Sequence, residues 1–263
     1  MNASDNATTS DATHGMEYSN GCLHELVYIT ITLFISTLSG LIASFFWIAS
    51  TSAFRVPVDM TLPLHHPFTA MVAGPTGCGK TRFVFKLIDN AARIIEPPPS
   101  KIVYCYGEYQ QLFRNYPQVT FHQGLPKIEN FDGSKPVLLI VDDLMHETDE
   151  SIANLFTKGS HHRNISVIFL VQNLFYKNKY IRTISLNSHY MILFKNPRDA
   201  SQFANLARQM YPKQSAFAVE AYKDATREPY SYLFVDLRTE QDEDLRLRTN
   251  IFPTETRYVY VPK

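Results

Sequence analysis

Apolar residues follow two different rhythms along the 263-residue chain. From Leu26 to Phe54 there are 29 residues without a formal charge, and 17 of the 24 in Leu26–Ala49 are apolar, the others being Ser, Thr and Gly40. A helix crossing a bilayer takes about 20 such residues, and Ser or Thr hydroxyls can bond back to the helix's own carbonyls. The pattern predicts a transmembrane helix in residues 26–54, with Trp47 suited to an interface. Further on, short apolar runs alternate with helical spacing. Phe68–Ala73, Ile102–Tyr106, Val137–Val141, Ser166–Val171, Tyr190–Phe194 and Tyr232–Val235 read as strands. Several are almost wholly apolar, as strands covered on both faces are. Thr81–Arg93 places Phe83, Leu87 and Ile88 on one helical side, and Ser151–Thr157, Arg198–Met210 and Ala216–Tyr222 read as further helices. This alternation predicts an α/β domain with a mostly parallel central sheet flanked by helices. The expected division is a polar tail at 1–25, the span at 26–54, a linker at 55–67 punctuated by Pro57, Pro63 and Pro67, and the α/β domain at 68–263.

Composition narrows the class. A hydrophobic fraction of 45% excludes a disordered or fibrous chain. Cys22, Cys78 and Cys105 are too far apart for a disulfide framework or a metal knuckle, which suits a reducing compartment. The net charge of zero hides an asymmetry: residues 1–54 carry four acidic side chains and no Lys or Arg, so residues 55–263 hold 25 basic against 21 acidic groups. That balance permits a nucleic-acid partner without requiring one. With nothing basic before the span and Arg55 just after it, the positive-inside rule places residues 55–263 in the cytosol and the N-terminus outside. The sequons at Asn2 and Asn6 fall in the outer segment. The expected location is a single-pass membrane protein; without the N-terminal segment, the domain would be soluble in cytoplasm or nucleus.

The chemistry starts at Gly74-Pro75-Thr76-Gly77-Cys78-Gly79-Lys80-Thr81, a complete G-x-x-x-x-G-K-[ST] phosphate loop between an apolar strand and a helix. Its glycines let backbone N–H groups converge on phosphate oxygens, and the helix start adds its positive dipole end. Lys80 is expected to neutralise the β- and γ-phosphates of ATP and Thr81 to ligate Mg²⁺. Cys78 reads as a small spacer that presents backbone. Val137–Val141 ends in Asp142-Asp143, a buried strand delivering carboxylates to the sheet's carboxyl edge. Asp142 is expected to hold the metal through water and Asp143 to orient or deprotonate the attacking water. Gln172, ending the Ser166–Val171 strand, is either a γ-phosphate sensor or part of a plain terminating turn. Lys158, His161, His162 and Arg163 form a basic turn that is either solvated surface or the source of an arginine finger, Arg163, for a neighbouring subunit. Asn178-Lys179-Tyr180-Ile181 lacks the aspartate of a guanine reader, and no arginine-rich kinase lid is present, which leaves motor ATPases and helicases.

The linked motifs are more specific than the loop alone. Residues 74–81, Tyr104-Cys105-Tyr106-Gly107-Glu108, Val141-Asp142-Asp143-Leu144-Met145, Leu155–Asn164, Val171–Phe175, Ser185–Tyr190, Phe194–Asp199 and Leu206–Pro212 resemble the genome-packaging ATPases of Maverick/Polinton elements and adintoviruses. These belong to the FtsK–HerA group and are related to poxvirus-type packaging ATPases. The resemblance covers about residues 68–253 and implies a ring-forming homo-oligomer that uses ATP to drive double-stranded DNA into a capsid, without reading sequence. It carries over Lys80 and Thr81 as phosphate and Mg²⁺ binders, Asp142 and Asp143 as the acidic pair and Gln172 as the polar sensor. Basic residues at Lys177, Lys179, Arg182, Arg246 and Arg248 are the expected DNA contacts. Residues 1–54 have no counterpart in that pattern, which keeps open a second function: a membrane-anchored nucleotide-binding module, a host-genome copy without packaging activity.

Overall fold

The structure, a computed structural model, describes residues 28–39, 53–142, 144, 149–174 and 179–263. The chain divides into two compact units, Met1–Thr51 and Ser52–Lys263.

In the first unit residues 28–39 are helical, about 18 Å long at 1.5 Å per residue. The hydroxyls of Thr32, Ser36, Thr37 and Ser39 donate to carbonyls three or four residues back, Thr32 Oγ1 reaching Tyr28 O at 2.7 Å. Those four hydroxyls are thereby satisfied within the helix, while Ile29, Leu33 and Phe34 stay exposed. Among the described residues no helix is long and apolar enough to cross a membrane. The rest of the expected span, residues 26–27 and 40–52, lies outside them.

The second unit is built on a ten-stranded sheet. In chain order the elements are β1 (Ala53–Val58), β2 (Leu64–His65), β3 (Thr69–Ala73), α1 (Lys80–Ile94), β4 (Ile95–Glu96), β5 (Lys101–Tyr106), β6 (Thr120–Gln123), β7 (Val137–Asp142), α2 (Asp149–Asn154), β8 (Ile165–Val171), α3 (Lys179–Leu186), β9 (Tyr190–Phe194), α4 (Ala200–Met210), α5 (Ser215–Ala225), β10 (Tyr232–Asp236), β11 (Leu247–Thr249) and β12 (Arg257–Pro262). The spatial order is β1-β12-β11-β10-β9-β3-β8-β7-β5-β6, with β2 and β4 forming a separate parallel pair. The block β9-β3-β8-β7-β5-β6 is wholly parallel. Every residue of β3, β8, β9 and β10 is buried, because helices cover both faces and side chains alternate between two cores. Met71 and Ala73 join the core under α4 and α5; Ala70 and Val72 join the other, under α1. Helix α1 buries Phe83, Val84, Leu87, Ile88 and Ala91 there, each large side chain stabilising by about 1.5–3 kcal/mol.

Three features depart from the sequence reading. The sheet continues past β9 as four antiparallel strands, β10, β11, β12 and β1. Ala53 and Phe54, assigned to the span, and residues 55–58, assigned to the linker, form β1 and pair with β12 from Ala53↔Pro262 to Val58↔Arg257. Arg55, read as the membrane boundary, pairs with Asp224 at 3.3 Å and lies 3.8 Å over the Tyr258 ring. The expected helix at Ser151–Thr157 is α2 passing into a wider π-helical turn, Leu155–Gly159.

Candidate nucleotide site

Three neighbouring parallel strands end together. In the β3–β8 ladder Ala73 faces Val171, and in the β7–β8 ladder Asp142 faces Leu170. Gly74, Gln172 and Asp142 therefore leave the sheet at one edge, within about 10 Å of each other at 4.8 Å per strand. Gly74 N–H donates to Val171 O at 3.2 Å, tying the start of the loop to β8.

The loop's shape comes from its glycines. Gly77 and Gly79 have φ of 79° and 108°, left-handed values that a side chain resists. A Cβ on Gly74 would sit 2.6 Å from Cys78 Sγ and 2.7 Å from Phe194 Cβ, so no larger residue fits. Gly79 begins α1 without a side-chain cap. The first-turn N–H groups of α1 therefore point at the cleft, where an anion is favoured. Lys80 Nζ donates to Gly74 O at 2.6 Å and Pro75 O at 3.2 Å, folded over the loop it serves. Burial raises the Cys78 thiol's pKa against the lowering pull of Lys80, so it stays a neutral thiol, in keeping with a spacer.

Thr76, Gly77, Gly79, Lys80, Thr81, Arg82, Gln110, Asp142 and Gln172 line an open cleft with about 340 Å³ of water-accessible space. The Asp142 carboxylate accepts a 2.6 Å hydrogen bond from Tyr104 Oη. Tyr104 is fully buried and stacked on Phe85 of α1, with ring centroids 5.5 Å apart. Burial first, and the Asp142 charge second, hold its phenol far above the ordinary tyrosine range. The hydroxyl is thus a fixed donor that orients the acid. Sequence reasoning assigned no role to Tyr104 or Gln110. Tyr104 reaches Asp142 only through the pairing of β5 with β7, a contact between strands that spacing along the chain does not show.

Lys80, Thr81, Asp142 and Gln172 line this one cleft, whereas Asp143 lies outside the described residues. Arg163 is not there. It precedes β8, whose length of about 20 Å at 3.3 Å per residue separates it from the carboxyl edge, and its guanidinium donates to Phe131 O at 3.0 Å. The expected DNA contacts are also revised. Arg248 is buried, bonding the wholly buried Asp236 and, at 3.0 Å, Gln241 Oε1. Arg246 donates to Glu243 at 2.7 Å and to Asp236 O at 3.1 Å. Both arginines serve the antiparallel end of the sheet. Arg182 remains exposed on α3, while Lys177 and the Lys179 side chain lie outside the described residues.

The residues fit a magnesium nucleotide. Mg²⁺ is held by one or two protein oxygens together with phosphates and water, and Thr81 and Asp142 stand in one cleft with a phosphate loop between glycines that a Cβ would block.

No known protein family and no curated protein matches the chain. Among solved structures it is similar to the genome packaging NTPase B204 from Sulfolobus turreted icosahedral virus 2 in complex with sulfate, at 13% identity and a TM-score of 0.41, over 66% of this chain and 93% of that one. A KaiC-like protein from Pyrococcus horikoshii OT3 overlaps at 14% identity and a TM-score of 0.38, over 75% of this chain and 90% of that one. An ATPase from the type III secretion system of pathogenic bacteria overlaps at 14% and 0.33, over 57% and 55%. At these scores the α/β assignment stands on the sheet and loop described above.

Proposed function

We propose that the second unit binds and hydrolyses Mg·ATP and uses the energy as a motor on double-stranded DNA, in the manner of packaging ATPases of the Maverick/Polinton and adintovirus kind. The observation that carries the nucleotide part is the convergence of the phosphate loop, Thr81, Asp142 and Gln172 on one cleft. Lys80 exchanges two loop carbonyls for phosphate oxygens, Thr81 and Asp142 hold Mg²⁺, and Asp143 activates water. Gln172, at the tip of β8, contacts the terminal phosphate or the water. Arg163 stands at the far end of β8, so any part it takes in catalysis is on a neighbouring subunit's nucleotide, which calls for a homo-oligomeric ring. The linked motifs of residues 68–253 support duplex DNA as the track and a capsid as the destination. A motor that grips any sequence contacts phosphates rather than base edges.

The uncharged run of residues 26–52, with the Ser and Thr hydroxyls of helix 28–39 bonded to that helix's own carbonyls, favours a second reading, a nucleotide-binding module anchored in a membrane through that run with the ATPase unit cytosolic. One assay separates the two. The ATPase rate of the full chain is measured with and without random-sequence duplex at low salt, beside Lys80→Ala. A motor is stimulated by duplex and silenced by the substitution. Hydrolysis indifferent to DNA, with no DNA bound by the oligomer, would leave the anchored module as the better reading.

A further inference from the structure

A second cleft, also with about 340 Å³ of water-accessible space, opens beside the first, and Gly79 and Arg82 line both. Buried Tyr232 and Phe252 form an aromatic part of its wall, and Tyr230 and Asn250 line it as well. Tyr230 is an unusual residue for its place. Glu228–Ser231 is a turn closed by Ser231 N–H donating to Glu228 O at 3.2 Å. Pro229 fixes the first central position near a φ of about −65°, and Tyr230 follows with φ of 64°. Proline first and a positive φ second define a type II turn, whose second position belongs to glycine or asparagine. A bulky residue there is strained, and burial does not explain its presence, because the side chain is 57% exposed. Strain of this kind concentrates where a ligand is contacted.

The surroundings say what the ring meets. A Cβ on Gly79 would lie 3.1 Å from Tyr230 Cδ1, so the ring stands against the phosphate loop itself. The Arg82 guanidinium, one residue past the loop, lies 5.4 Å from the Tyr230 ring centroid. Three described non-glycine residues, Asn164, Tyr230 and Asn250, are held left-handed, and two of them, Tyr230 and Asn250 with φ of 58°, line this one cleft.

We propose that this second cleft takes the purine base of the nucleotide whose phosphates the 74–81 loop holds, the base stacking on Tyr230 beside Arg82. The inference rests on the phosphate-loop reading above. Gly79 and Arg82, which line both clefts, would be the passage between a polyphosphate held at the start of α1 and a base in the second cleft. An aromatic ring with an arginine beside it stacks on any nucleobase, because every base presents a π-face. The contact therefore adds affinity for a nucleoside over bare phosphate, and discriminates weakly between adenine and guanine.

Calorimetric titration of the full chain with Mg²⁺ tests this, using a non-hydrolysable ATP analogue and inorganic tripolyphosphate as paired probes. Tyr230→Gly suits the turn and keeps the fold, with a melting temperature equal to or above that of the parent. It is expected to weaken the analogue at least about fivefold and to leave tripolyphosphate unchanged, while Tyr230→Phe keeps the parental affinity for both. Unchanged binding of the analogue by Tyr230→Gly would overturn the inference, as would equal weakening of both probes, which would make Tyr230 a support of the loop. If the parent bound neither probe, the phosphate-loop reading would fall and the base site with it.

Discussion

The hydroxyl of Tyr104 is a small part of the site with a large expected effect. It is the donor that fixes one oxygen of Asp142 at 2.6 Å, and partners of that kind behind a metal ligand typically govern metal affinity by 10–100-fold. Tyr104→Phe keeps the ring on Phe85 and removes only the donor. The Mg²⁺ concentration for half-maximal ATPase activity is expected to rise about tenfold, while the far-ultraviolet spectrum stays that of the parent. At this scale the chain is legible wherever function is written locally. Gly74–Thr81 is one continuous loop, and Asp142 ends a visibly apolar strand. Tyr104 was not legible as a site residue, since it lies 38 positions from its acid and meets it only across a ladder. Arg248 misled for the opposite reason. An arginine two positions from another, Arg246, reads as surface, yet it is folded into the interior with Asp236.

Strands and helices were readable in proportion to how completely they are covered. β3, β7, β8, β9 and β10 are covered on both faces and spell themselves as almost wholly apolar runs; α1 spells itself by its one buried side. β1, largely exposed, and β11, three residues long with an arginine at its centre, carry no such run. The antiparallel end of the sheet adds a buried charge cluster to its apolar packing. Asp236 at the tip of β10 accepts from Arg238 at 3.0 and 2.8 Å and from Arg248, all three within the protein. Removing one partner leaves a buried guanidinium uncompensated. Asp236→Asn is therefore expected to cost about 3–5 kcal/mol, read as a lower urea midpoint with the slope unchanged. A loss below about 1 kcal/mol would show that the cluster is solvated rather than interior.

The molecule as a whole joins an apolar N-terminal segment to an α/β unit, and the proposed anchor is open to a direct test. Full-length protein expressed in cells is expected to stay in the pellet after alkaline carbonate extraction, with residues 53–263 open to protease from the cytosolic side. Release into the supernatant would remove the anchor, and a protected domain would reverse the orientation. The pairing of β1 with β12 has a further consequence, in time rather than space. Among the described strands β1 leaves the ribosome first, while its ladder partner β12 is made roughly 200 residues later, about 10–40 s at 5–20 residues per second. Phe54 and Val56 wait through that interval on an unpaired strand beside a segment that is itself apolar. Through that interval the unpaired edge of β1 is open to other strands, and a chaperone or a rapidly engaged bilayer would cover it.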